Sequence, residues 1–447
     1  MRFSSFDTLL THQAEALGEK PALLWEDRTL SYRALKHEVD GRALALAGEG
    51  KTCLGVFCDG SLACVIEIFA AVQAGMQVVL LDENTPDEAL EGLITYTDLD
   101  ALWGDEALVE QCRPYLTPGV TDGAGKLLFF TSGTTQAAKA VVLTDHSLCQ
   151  SAYNGASKLP LAPEDRLMCL LPLSHVFGFV CGLLWGLQCG CTVALGRGAR
   201  HYWDDLAHYE PTAAAMVPAL LGFYLKRGGF NPALRLVLIG AGDCPPQLLR
   251  RTEELGLRVS FGYGLTETSS GVAISTSGNP FALELCPDDQ ITIAPDGEIL
   301  ITAPTCMMQG YYKKESDTAA VLKDGVLSTG DLGWLDEAGR LHVTGRKKEI
   351  LVLPDGTKLY LPEYEHQIAQ ALGEGELALV LRGGRPVLVL PGQARDKQEL
   401  LRALYPVTCQ KPRGQQLGDI LFWGGPLPRT ATGKIQRWEI QQKAEEL

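Results

Sequence analysis

The chain has 447 residues, 46% of them hydrophobic and 21% charged, with 39 Lys and Arg against 54 Asp and Glu and a formal net charge of −15. At ~150 residues per domain this length suggests two or three domains, and the apolar share excludes disorder, collagen and small disulfide scaffolds. The acidic balance argues against a nucleic-acid or anionic-membrane surface, because phosphates would meet a like-signed field. It leaves room for a local basic pocket that holds one nucleotide. Thirteen cysteines are scattered without a CxxC, so a zinc site has no support. Free buried thiols in a reducing cytosol are the expected state, which makes the chain cytoplasmic. The segment after Met1 has no apolar core, so no signal peptide is expected.

In chain order, Leu54 to Phe57 opens a repeated pattern of apolar run, polar or glycine turn and helical stretch. Ser61 to Ala74 reads as helix and Gln77 to Leu81 as strand. Further strands are predicted at Leu167 to Leu171, Thr192 to Leu195, Ala213 to Val217 and Leu234 to Ile239. Such alternation implies an α/β fold with largely parallel sheets covered on both faces. From Leu167 to Gly196 there is no Asp, Glu, Lys or Arg. Pro172, Ser174, His175, Gln188 and the glycines at 178, 182, 186 and 190 break that run, which reads as buried strand, turn and helix instead of a membrane span.

After about Gly271 the texture changes. Ile291 to Ile293, Glu298 to Ile301 and Leu341 to Val343 are short strands beside turn residues, so a small β-rich unit follows. The charged cluster Gly345-Arg-Lys-Lys-Glu349 marks a boundary before a last stretch of mixed helix and strand.

The strongest local signal is Leu127 to Val142, in which apolar strands flank a loop with four hydroxyls, one glycine and one lysine. Hydroxyls and backbone N–H groups can wrap phosphate oxygens, and a lysine adds a compact positive charge. The spacing is not that of a Walker A loop.

Thr131-Ser132-Gly133-Thr134-Thr135 followed by Lys139 resembles the phosphate loop of the ANL superfamily of adenylate-forming enzymes, the AMP-binding acyl-CoA synthetase type. More matches follow in that family's order. Pro172-Leu-Ser-His-Val-Phe-Gly178 resembles its acyl-site segment and Gly240-Ala241-Gly242 its adenine-lining strand end. Tyr263-Gly264-Leu-Thr266-Glu267 resembles its Tyr-Gly-x-Thr-Glu motif. Ser328-Thr-Gly-Asp331 and Gly345-Arg346 resemble its ribose motifs, and Pro428 to Lys434 its C-terminal lysine motif. Residues 20–37 also resemble an early segment of the family.

The resemblance implies a large N-terminal adenylation domain, 1–345, of stacked α/β sheets with the small β-rich unit. It also implies a small mobile α+β C-terminal domain, 346–447, turning near 346–348 about Lys348. It implies Mg²⁺ on Glu267, which with Thr266 and Lys434 makes up the catalytic set. Tyr263 stacks on adenine, Asp331 takes the ribose hydroxyls, Arg346 assists the nucleotide, and Lys434 stabilises charge at the α-phosphate. His175, Phe177 and Gly178 border the acyl or thiol channel, where His175 could equally be a hydrogen-bonded core histidine.

The implied function is activation of a carboxylic acid as acyl-AMP with ATP, then transfer to the thiol of coenzyme A. Loading a carrier-protein phosphopantetheine, or nucleotide binding with little turnover, are the alternatives. The loop 355–363 is expected to line the thiol channel after rotation. No carboxylate lies between Leu173 and Trp185, so an α-amino acid's ammonium would go unpaired, and Phe177, Phe179, Val180, Leu183 and Leu184 suit a fatty or aryl acid. Departures from the family pattern are Gln136, Ala138 and Ala140 in the phosphate loop, and Asp145 where histidine is common.

Overall fold

The computed structural model describes residues 1–117, 123–131, 139–226, 231–240, 246–277, 279–353, 358–373, 375–429 and 435–446. Helix Leu62–Gln73 shows how local chemistry starts the architecture. Ser61 caps it by accepting from the Cys64 N–H, and the chain leaves through Gly75 at φ 81°. The strands it joins, Cys53–Phe57 and Gln77–Leu81, are buried along their whole length and pair in parallel. Unbroken apolar runs, covered on both faces, form such strands. Glu67 is the buried carboxylate of this helix, and Arg42 meets it with two hydrogen bonds of 2.7 and 2.8 Å.

Two large sheets result. One has six strands in the order Gly310–Tyr311, Ala140–Thr144, Lys126–Phe130, Gln77–Leu81, Cys53–Phe57 and Ala101–Trp103. Its last four strands are parallel and its first two antiparallel. The other has nine strands, from Glu284–Leu285 through Ser270–Ile274, Arg258–Leu265, Leu236–Ile239, Ala213–Met216, Arg166–Cys169, Thr192–Leu195 and Pro21–Trp25 to Arg28–Ser31. It is parallel in the middle and antiparallel at both ends. A continuous apolar core draws on residues of both sheets.

The uncharged run 167–196 covers strand Arg166–Cys169 from its second residue on, a π-helical segment Gly178–Leu184, a short helix Trp185–Cys189 and strand Thr192–Leu195. Among the described residues no helix is long and apolar enough to cross a membrane. The π-helical segment is pinned by Phe179, whose ring lies 5.9, 6.3 and 5.7 Å from those of Phe6, Phe69 and Phe129.

The β-rich unit pairs Gln290–Ile293, Glu298–Thr302, Val326–Leu335 and Leu322–Lys323, with Leu341–Arg346 along the far half of Val326–Leu335. Further on come a hairpin, Ile350–Val352 with Lys358–Tyr360, and a three-stranded sheet, Ala378–Arg382, Arg385–Leu390 and Asp419–Phe422. The expected loop 355–363 is therefore partly regular: Lys358–Tyr360 is strand, and helix Leu361–Leu372 starts at once. Leu359 and Leu361 alternate into a core with Tyr364, Ile368, Leu404 and Ile420, which fixes the extended conformation there. The cysteines among the described residues form no disulfide.

Candidate active site

Strand register builds the first part of the site. Asp331 and Arg346 sit opposite each other where Val326–Leu335 pairs with Leu341–Arg346. Arg346 Nε lies 3.1 Å from Asp331 Oδ1, and Tyr263 Oη donates to Asp331 Oδ2 at 2.9 Å. Asp331 is only 4% exposed, so its charge depends on these partners. Thr329 braces the turn: its hydroxyl accepts from the Asp331 N–H at 2.9 Å and donates to the Ile299 carbonyl at 2.7 Å. Burial, reinforced by the Asp331 carboxylate, pushes the Tyr263 phenol well up, so it remains a proton donor.

Strand Arg258–Leu265 delivers Tyr263 and then turns sharply. A Cβ on Gly264 would stand 1.7 Å from the Ser270 carbonyl oxygen, so only glycine permits that approach, at an irregularity in the pairing. Glu267 sits in the one-turn 3₁₀ helix Thr266–Thr268 that follows. Ser269 and Ser270 leave this turn at φ 52° and 103°, where an L-residue is strained by roughly 1–3 kcal/mol. The turn is held nonetheless: Ser269 Oγ donates to the Cys306 carbonyl at 2.8 Å, and Thr268 Oγ1 to that of Ser270 at 2.9 Å.

Glu267 Oε1 accepts from Tyr311 Oη at 2.7 Å. Lys139, at the near end of the hydroxyl loop, places Nζ 4.6 Å from the Tyr311 ring centre and 3.1 Å from Asp317 Oδ2. The Thr131 N–H donates to the Lys139 carbonyl at 2.9 Å, which closes the mouth of that loop. Thus the Glu267 motif and the loop lysine, far apart in sequence, meet around one tyrosine.

The apolar part adjoins. A Cβ on Gly240 would lie 2.8 Å from the Phe177 ring, so the phenyl group rests on that strand end. Gly178 is crowded by backbone, with the Pro172 carbonyl oxygen 2.3 Å from where its Cβ would be. His175 is half-buried, and desolvation lowers its pKa, so the ring is neutral at neutral pH. A small cavity of about 20 Å³ is lined by Leu159, Val180, Cys181, Trp185, Leu238 and Ile274 among others, with no charged group.

Of the residues singled out from sequence, the structure brings together Tyr263, Asp331 and Arg346, then Glu267 and Lys139, then Phe177, Gly178 and Gly240. Thr266 opens the Glu267 turn. Ser132, Gly133, Thr134, Thr135, Ala241, Gly242 and Lys434 lie outside the described residues. Lys348 falls in the 3₁₀ turn Lys347–Glu349. Sequence reading missed Tyr311, Asp317 and Glu298. Glu298 accepts from the Gly330 N–H at 2.8 Å and pairs with Lys347 at 2.6 Å, tying the ribose motif to the turn that carries Lys348. Only the aromatic pair in Gly310-Tyr-Tyr312, unabsorbed by any motif, hinted at Tyr311.

A family model described as "AMP-binding enzyme" matches residues 10–122 and 126–312. An indoleacetate–CoA ligase of Aromatoleum aromaticum is 30% identical over 368 residues, covering 75% of this chain and 71% of its own. A 2-succinylbenzoate–CoA ligase of Bacillus pumilus is 26% identical over 97% of both chains. Among solved structures, the o-succinylbenzoate CoA synthetase of Bacillus subtilis with its acyl-adenylate intermediate superposes with a TM-score of 0.84. It covers 97% of both chains at 23% identity. The chain belongs to the AMP-binding enzyme family, the ANL superfamily of its motif series.

Proposed function

We propose that the acid taken by this AMP-forming acid–thiol ligase is an aryl or arylacetic monocarboxylate, and that coenzyme A is the acceptor. One observation carries the choice of acid: the segment from Leu173 to Trp185, whose Phe177 rests on Gly240 and whose Val180, Cys181 and Trp185 line a small cavity, is mostly apolar and holds no Asp, Glu, Lys or Arg. An α-ammonium or a second carboxylate buried there would stand unpaired, at a cost of several kcal/mol on general grounds. The named activity of the indoleacetate ligase above supports an aromatic monocarboxylate and CoA, while that of the 2-succinylbenzoate ligase, whose acid has two carboxylates, supports the aromatic ring and CoA alone.

The reading gives each group a task. Tyr263 presents its ring to adenine while its hydroxyl holds Asp331 towards the ribose hydroxyls, and Arg346 pairs with that carboxylate. Lys139 and the hydroxyls of 131–135 hold the β- and γ-phosphates. Glu267 suits a hard cation: one carboxylate completed by substrate phosphates is a usual donor set, and no cluster of three metal-ligating side chains exists among the described residues. Bound there, Mg²⁺ supplies neutralisation of phosphate charge.

The acid's carboxylate oxygen attacks the α-phosphorus, the bond to the β-phosphate bridge breaks, and pyrophosphate leaves. Lys434 stabilises the developing charge. The carboxylate arrives ionised, so His175, neutral in its half-buried place, acts as channel wall and not as base. Rotation of the domain 346–447 about Lys348 then opens the thiol path. The thiolate attacks the acyl carbonyl, the mixed anhydride bond breaks and AMP departs, the thiol proton passing to solvent. Free buried thiols support a cytoplasmic setting.

Acid-dependent ATP–pyrophosphate exchange with arylacetic, benzoic, fatty, dicarboxylic and α-amino acids tests this reading. Arylacetic or benzoic acids are expected to give the highest kcat/KM. A clear preference for amino or dicarboxylic acids would sink the acid class, and ATP binding without acyl-AMP from any acid would sink the function. Offering CoA and a phosphopantetheinylated carrier protein side by side decides the acceptor.

A further inference from the structure

Tyr311 occupies the junction of two groups that the sequence motifs keep apart. Its hydroxyl takes one oxygen of Glu267, and its ring lies under the Lys139 ammonium. Its own position is fixed on both sides. It pairs with Val141 in the six-stranded sheet, beside the strand that follows Lys139, and its N–H donates to Thr318 Oγ1 at 2.8 Å. Thr318 and Asp317 belong to one helix, Glu315–Val321, so the same short element braces Tyr311 and offers Lys139 a carboxylate.

We propose that Tyr311 is a positioning residue of the nucleotide site, aligning Glu267 through its hydroxyl and Lys139 through its ring, and that Asp317 is the resting counter-ion which nucleotide phosphate displaces. With Oε1 engaged by Tyr311, the Glu267 carboxylate is held in one orientation and presents Oε2 to a cation. Ordering it beforehand removes part of the cost of binding. The Lys139–Asp317 pair is partly exposed, 29% and 40% at the two side chains, so it is weak enough for a triphosphate to break. The ring contact survives that exchange and keeps the ammonium near the loop.

This rests on the reading of Glu267 and Lys139 as nucleotide-site groups, and its test is chosen to stand apart from turnover. MgATP binding is measured by titration calorimetry at limiting and saturating Mg²⁺, with melting curves, for the full chain and for Tyr311→Phe, Tyr311→Leu and Asp317→Asn. Tyr311→Phe keeps the ring and is expected to need about tenfold more Mg²⁺ for half-saturation, the size of one lost hydrogen bond to a charged group. Its affinity at saturating Mg²⁺ should hold. Tyr311→Leu is expected to lose a further factor of about three at every Mg²⁺ concentration. Asp317→Asn should bind MgATP about twofold more tightly. A Tyr311→Phe protein with the wild-type Mg²⁺ requirement, whether or not its melting temperature falls, would overturn the proposal. So would weaker MgATP binding by Asp317→Asn. Wild-type protein that binds MgATP yet makes no acyl-AMP defeats the ligase reading and leaves these titrations decisive; wild-type protein that binds no MgATP defeats both.

Discussion

The two sides of the site are held by different forces. On the nucleotide side, Tyr263, Asp331 and Arg346, and likewise Glu267 with Tyr311 and Lys139 with Asp317, are joined by hydrogen bonds and ion pairs that a polar ligand can take over. On the acyl side, Phe177 rests on Gly240, Gly178 fits against the Pro172 carbonyl, and Phe179 locks into a cluster of buried rings. On the nucleotide side the charged partners Arg346, Lys139 and Asp317 are part exposed, and such ion pairs contribute little to stability, whereas close-packed contacts resist any change of volume. Substitutions should therefore divide: chemistry without melting on the nucleotide side, melting first on the acyl side.

The largest effect belongs to Lys434. Lys434→Ala is expected to cut acid-dependent ATP–pyrophosphate exchange by about 100- to 1,000-fold, the scale of one lost charge-stabilising donor, with an unchanged melting temperature. Thiol transfer from supplied acyl-adenylate should persist. Exchange at the wild-type rate would remove Lys434 from the mechanism. Next comes Asp331→Ala, which deletes the ribose acceptor and should raise KM for ATP roughly tenfold. A drop in kcat at constant KM would place Asp331 elsewhere in the chemistry, and a large loss of melting temperature would break the division itself.

The residues of these predictions could be singled out from sequence because the motif series is local. Each motif is a few consecutive residues, so the chain's own order puts hydroxyls, a carboxylate or a lysine close together. The strands at 53–57 and 77–81 were legible for a similar reason: unbroken apolar runs on either side of a Ser61 cap leave little choice. Tyr311, Asp317 and Glu298 were not, since each acts on a partner dozens to more than a hundred residues away and only the sheet pairing joins them. The hairpin at 350–360 was hidden for another reason. Its glycine and polar residues read as loop, while burial of Leu359 and Leu361 decided the extended strand.

On the acyl side, Gly178→Ala is the sharper probe of packing. The added Cβ would meet the Pro172 and Leu171 carbonyl oxygens at 2.3 and 3.0 Å, and both are backbone atoms that cannot rotate away. Overpacking of this kind typically costs about 1–3 kcal/mol, read as a lower denaturant midpoint. An unchanged midpoint accompanied by lost exchange would show that the segment yields freely, contrary to the close packing seen around Phe179.

The most gradual effect lies behind the Glu267 turn, where the division should fail in a defined way. Asp289 is buried and accepts from Asn154 Nδ2 at 3.3 Å; Asn154 in turn lies 3.6 Å from the Sγ of Cys306, whose carbonyl holds Ser269. Burial, helped by the neighbouring Asp288 charge and opposed by the Asn154 hydrogen bond, raises the Asp289 pKa to about 8. The folded protein therefore keeps a proton that the unfolded chain releases near pH 4. Its contribution is complete below that pH and is lost as pH rises towards 8, at no more than about 1.4 kcal/mol per pH unit. Asp289→Asn carries no such charge, so its denaturation midpoint should overtake that of the wild type as pH rises from 6 to 9. Parallel profiles for the two proteins would mean that Asp289 is already ionised in the fold.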